Sequence, residues 1–172
     1  MIYVFVEGPD DSRYFESVFG CMFGEHRIVE YAKMTKEKIK KYIQAIRNMP
    51  NSDYLFFSDE DGKGVDNKQN EIVNKYNCLE SEKVFIVQYE IESWYYAGLD
   101  QNECKKLKIN NFQFYTNRIT KEQFYAKLLR PSDRKYIMAQ MLLVYSKELA
   151  ETRNNTFSNF YQKIKKESAA VS

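Results

Sequence analysis

Three short, unbroken apolar runs, residues 2–6, 54–57 and 84–87, each stop at a cluster of acids, and this pattern constrains the chain more than any other feature. Runs of four or five β-branched and aromatic residues without polar alternation read as strands buried on both faces. Helical spacing fills the gaps between them. Tyr14, Phe15, Val18 and Phe19 recur on one face until Gly20, with Asp10 or Asp11 as a suitable N-cap. Residues 27–31 fit a short further strand. Residues 35–49 place Ile39, Ile43 and Ile46 on one side among lysines before Pro50, and residues 68–76 read as a third helix. Strands that alternate with helices imply right-handed βαβ crossovers, so the expected fold is α/β, a Rossmann-like, mainly parallel sheet flanked by helices. After Trp94 the spacing is helical only, over residues 120–130, 132–152 and 156–167. The expected division is a catalytic core at 1–98 and a basic helical extension at 99–172 packed on it.

Composition enters as exclusion. With 44% hydrophobic and 29% charged residues, 14 Tyr and 12 Phe, the chain has too many core-forming side chains for disorder. The net charge of +2 conceals an asymmetry: residues 1–100 carry 12 basic and 18 acidic side chains, residues 101–172 carry 14 and 6. Three scattered cysteines and one histidine, His26, support neither a zinc site nor a Ser-His-Asp triad. There is no basic leader and no apolar stretch near 18 residues, so a soluble, cytoplasmic protein without a membrane partner is expected.

The acids follow the apolar runs: Glu7 with Asp10 and Asp11, Asp59 with Asp61, and Glu90 with Glu92. In a parallel sheet these are carboxyl ends, where open α/β folds bind ligands. Clustered carboxylates repel one another unless a cation shares the site, and oxygen ligands without His or Cys favour Mg²⁺ or Mn²⁺. Each cluster also has a structural reading. Asp10 suits a helix cap, and residues 59–62 suit a polar turn. An EF-hand loop is excluded there because Lys63 and Asn70 occupy required ligand positions. Glu90 and Glu92, either side of Ile91, face the same way if the strand continues through them.

The segments Val6-Glu7-Gly8-Pro9-Asp10-Asp11 and, about fifty residues later, Phe57-Ser58-Asp59-Glu60-Asp61-Gly62 resemble the Toprim domain of topoisomerases, bacterial primases and nucleases of the overcoming-lysogenization-defect type. Residues 88–97 and 156–160 look like small Toprim-like proteins of mobile-element and phage-defence genes. The resemblance covers about residues 1–95. It implies a Mg²⁺- or Mn²⁺-dependent nuclease acting on DNA or RNA, with Glu7 as the catalytic glutamate in acid/base work or metal binding. Asp59 and Asp61 match the metal-binding pair, and Asp11 matches the acid that the nuclease branch uses for a second metal. Glu90 and Glu92 complete the expected metal set. No P-loop is present, and the size favours a stand-alone nuclease or one subunit working with an ATPase or other defence-system partner.

The basic extension would meet the phosphate backbone, with Lys127, Arg130, Arg134 and Arg153 as candidate nucleic-acid contacts. Trp94, Tyr95 and Tyr96 read better as core than as base-stacking platforms. Two other classes compete. In a receiver-like phosphoryl-transfer domain Asp10 and Asp11 hold Mg²⁺ and Asp59 is phosphorylated, which leaves Glu7 and Asp61 unexplained. A non-catalytic adaptor of the same fold, binding nucleic acid or a partner, would have no use for the acids.

Overall fold

Four parallel strands, β1 (Ile2–Val6), β2 (His26–Glu30), β3 (Asp53–Asp59) and β4 (Val84–Val87), pair in the order β2-β1-β3-β4, which places the first strand between the second and third. The computed structural model describes the backbone of residues 1–170 and the side chains of residues 1–166, so the last two residues of the expected extension lie outside it. It divides into two compact units, Met1–Val87 and Gln88–Ser172. The division falls directly after the fourth strand, and residues 88–98, expected in the core, belong to the second unit.

The first unit runs β1 (Ile2–Val6), α1 (Pro9–Phe23), β2 (His26–Glu30), α2 (Lys36–Arg47), β3 (Asp53–Asp59), α3 (Val65–Tyr76) and β4 (Val84–Val87). Alternation along each strand splits its side chains between two helical layers. Tyr3 and Phe5 of β1, Tyr54 and Phe56 of β3, and Val84 and Ile86 of β4 share one face with Ile39, Ile43 and Ile46 of α2 and Ile72 and Tyr76 of α3. Phe5 is the register partner of Phe56, and their rings stack at 5.8 Å. Val4, Val6, Leu55 and Phe57 fall on the opposite face, where Phe15 of α1 meets Phe57 with ring centroids 4.2 Å apart. Both faces are therefore closed, which is why β1, β3 and β4 carry continuous apolar runs without polar alternation. Truncating one of the fully buried rings, such as Phe56 at 0% exposure, would cost about 3–5 kcal/mol.

Helix α1 starts earlier than expected. Pro9 takes its first position, with Gly8 extended at φ −154° as the N-cap. Neither Asp10 nor Asp11 caps it, because proline's fixed φ and missing N–H suit the first turn. In α2, Thr35 caps through its side chain, accepting from the Lys38 N–H.

The second unit is helical: α4 (Glu92–Ala97), α5 (Gln101–Lys106), α6 (Lys121–Lys127), α7 (Arg134–Leu143), α8 (Lys147–Arg153) and α9 (Asn155–Ala170). The helix expected over 132–152 is interrupted after Leu143, and Ser146 restarts it by accepting from the Leu149 N–H. Trp94, Tyr95 and Tyr96 are all fully buried. Trp94 packs against Phe157 and stacks on Phe160, and its indole N–H donates to Thr156. These rings are core. Among the described residues, no helix is long and apolar enough to cross a membrane.

Candidate active site

Strand β1 is followed in sequence by β2 on one side, while β3 lies on its other side, so the chain reverses its winding direction between β1 and β3. In open α/β sheets the crevice at that reversal, outside the carboxyl ends, is where ligands bind. Glu7 directly follows β1, and Asp59 ends β3. Parallel register between the two strands brings them side by side.

Glu7 is the best-held member of the group. Its Oε1 accepts from the Ser58 hydroxyl at 2.9 Å, the Asp59 backbone N–H at 3.1 Å and the Tyr31 hydroxyl at 3.3 Å. Tyr31 follows β2, and its single proton is shared with the Phe57 carbonyl oxygen at 2.8 Å. Three strands thus converge on one carboxylate oxygen, and among the described residues no hydrogen bond falls on Oε2. Burial first, and then the adjacent Glu7 charge, hold the Tyr31 phenol well above its ordinary value, so Tyr31 stays a hydrogen-bond donor. Asp59 is half-buried; its Oδ1 is enclosed and not hydrogen-bonded.

The remaining first-unit acids have local partners. Asp11, 9% exposed, accepts from the Gly8 N–H at 3.1 Å and so closes the first turn of α1 from its third position. Asp10 pairs with Arg13, one turn on. Asp61 sits in a tight turn with φ 53°, followed by Gly62 at φ 70° and Gly64 at φ 84°. Its carboxylate is ion-paired with Lys68, a lysine only 6% exposed on the same face of α3 as Ile72 and Tyr76.

Glu90 and Glu92 behave differently from the strand-end geometry expected of them. Tyr89 has φ 59°, which ends the extended chain, and Glu92 opens α4. Within the second unit Glu90 accepts from the Lys121 N–H at 2.7 Å, and Glu92, 1% exposed, accepts from the Tyr125 hydroxyl at 2.8 Å with the Lys121 ammonium at 3.5 Å. Burial raises the Glu90 carboxyl above its ordinary value, and burial with the Glu92 charge pushes Tyr125 up.

Of the expected nucleic-acid contacts, Arg153 is corrected. It is 0% exposed, and its donors go to the carbonyl oxygens of Tyr96, Ala97, Leu99, Gln113 and Phe114. The guanidinium also lies over the rings of Tyr96, Phe112 and Phe114. With every guanidinium nitrogen hydrogen-bonded to backbone and no exposed surface, it has nothing to offer a phosphate. Lys127 is half-buried and donates to the Asn111 carbonyl at 2.7 Å. Arg130 and Arg134 are exposed.

Among the described residues, no three His, Cys, Asp or Glu side chains stand close enough to hold a metal ion as arranged. The donor set itself fits a hard divalent cation. Glu7, Asp11, Asp59 and Asp61 offer carboxylate oxygens alone, and Asp61, the most exposed of them, already binds a cation in the form of Lys68.

Three residues of the site were not singled out in the sequence: Tyr31, Ser58 and Lys68. Lys68 had a legible signal, being a charged residue in helical register with Ile72 and Tyr76. Ser58 lies inside the motif, directly after the apolar run, without a role assigned to it there. The chain is thus an α/β protein with a carboxylate site at the switch point of a four-stranded parallel sheet. Compared with protein-family models, curated proteins and solved structures, it matches none.

Proposed function

We propose that this chain is a metal-dependent nuclease of Toprim type, hydrolysing phosphodiester bonds of DNA or RNA, either alone or as a subunit of a phage-defence or mobile-element system. The observation that carries the reading is Glu7, fixed through one oxygen by Ser58, Tyr31 and the Asp59 N–H, beside the Asp-x-Asp turn of the adjacent strand. Hydrogen bonds on Oε1 set the orientation of the carboxylate and direct Oε2 away from them, as a group that passes a proton to or from a reacting oxygen requires. Asp11, Asp59 and Asp61 would hold Mg²⁺ or Mn²⁺, with Lys68 giving up Asp61 to the incoming ion. When bound, that ion supplies Lewis-acid polarisation of the scissile phosphate and charge neutralisation.

The test is a panel of plasmid, linear DNA, transfer RNA and ribosomal RNA with Mg²⁺, Mn²⁺ or chelator, beside Glu7→Gln. Cleavage that needs the cation and falls about 10²–10⁴-fold in Glu7→Gln is expected. Equal cleavage by the variant, or none by the parent on any substrate, overturns the reading. The strand order β2-β1-β3-β4 and the lysine beside an aspartate also suit a receiver-like phospho-acceptor. Labelling of Asp59 by acetyl phosphate without any cleavage would select that alternative.

A further inference from the structure

The second unit has a basic cleft that owes nothing to the acidic site. An isolated antiparallel bridge pairs Ile109 with Leu128, and the Asn110 N–H donates to the Lys127 carbonyl at 2.7 Å. This pairing lays the end of α5 along the segment that leads into α7. Beyond it opens a cleft of about 440 Å³ lined by Lys106, Lys108, Leu129, Arg130, Asp133 and Tyr136, among others. Three cations face one acid there. Among the described residues Lys106 is held only by an exposed pair with Glu103, at 2.6 Å one turn back, and exposed pairs of this kind are weak. Two of its apolar members are unusually open: Tyr136 is 68% exposed and Leu129 59%.

We infer that this cleft binds single-stranded nucleic acid, with Lys106, Lys108 and Arg130 on the phosphates and a base on the Tyr136 ring. Cations interleaved with an exposed aromatic ring form the general recognition surface for a single strand, because every base has a face to stack and every nucleotide carries a phosphate. A duplex hides its base faces and leaves the ring without a partner. The charge of the unit favours the same ligand, since residues 88–172 carry 14 basic and 9 acidic side chains. The inference deepens the nuclease reading by naming the strand-binding surface, yet binding here requires no metal and no cleavage.

The experiment measures anisotropy of a labelled oligothymidylate and of the matching duplex, in chelator and over a range of salt, using the full chain. The parent should prefer the single strand. Lys106→Gln, Lys108→Gln and Arg130→Gln combined should flatten the salt dependence by about 2 in log–log slope, at about 0.7 per phosphate contact. Tyr136→Ala should weaken binding about tenfold, and Tyr136→Phe should restore it, since stacking needs the ring alone. The proposal is overturned if the triple variant keeps the parent's slope, if Tyr136→Ala binds like the parent, or if thymidine monophosphate binds as tightly as the oligonucleotide. Loss of binding in these variants with no Glu7-dependent cleavage by the parent would defeat the nuclease reading and leave the cleft standing. Unchanged binding alongside Glu7-dependent cleavage would do the reverse.

Discussion

Glu7 directly follows β1 and Glu92 opens α4 a few residues past β4, and the two units put them to opposite uses. Glu7 is half-buried at a sheet edge and takes its hydrogen bonds on a single oxygen. Glu92 is buried to 1% exposure, and Tyr125 and Lys121 close around it. A carboxylate fixed from one side only retains an oxygen for chemistry. One enclosed by a hydroxyl and an ammonium is a structural link, and its loss is felt as stability. The same contrast separates Lys68, which reaches an exposed aspartate, from Arg153, which is consumed by backbone carbonyls.

The largest expected effect opposes two isosteric changes. Glu7→Gln should lower cleavage about 10²–10⁴-fold and leave urea unfolding nearly unchanged, whereas Glu92→Gln should lose about 1–3 kcal/mol of stability and retain cleavage. If Glu92→Gln abolishes cleavage in a protein as stable as the parent, the contrast between the two carboxylates is wrong. Next, Arg153→Met should cost about 3–5 kcal/mol by leaving buried carbonyls without a donor, measured by denaturant midpoint. An Arg153→Met protein of parental stability that binds nucleic acid with a reduced salt slope would reinstate Arg153 as a phosphate contact.

Lys68→Met should tighten Mn²⁺ binding about tenfold by calorimetry, since removing one unit charge from a carboxylate in partly screened surroundings is worth roughly 1–2 kcal/mol. Weaker binding would mean that Lys68 supports the cation site rather than competing for it. The smallest effect concerns pH. Burial raises the folded-state pKa of Glu90, so the fold favours its protonated form, and that contribution is lost as pH rises through the raised value. Glu90→Gln should therefore melt slightly higher than the parent at neutral pH, with the gain vanishing below the ordinary carboxylate value of 4.5. A gain that grows on acidification would contradict the assignment.

The strands and their order of appearance could be read from residues alone, because a two-sided buried sheet demands continuous apolar runs and its helices demand a 3.6-residue period. The placement of Glu7 and Asp59 at carboxyl ends was legible for the same reason. The adjacency of β1 and β3 was not, since pairing order depends on long-range packing that local periodicity does not encode. Nor was the fate of Glu90 and Glu92. A positive φ at Tyr89 turned the chain into α4, and partners about 30 residues further on took up both carboxylates. Arg153 shows the limit most plainly. In sequence it is one basic residue of a basic C-terminal part, like Arg130 or Arg134, and only the closing of carbonyls from residues 96–99 and 113–114 around it makes it a core residue. Charge can be counted along a chain, but whether a charge faces water is decided by what the rest of the chain folds over it.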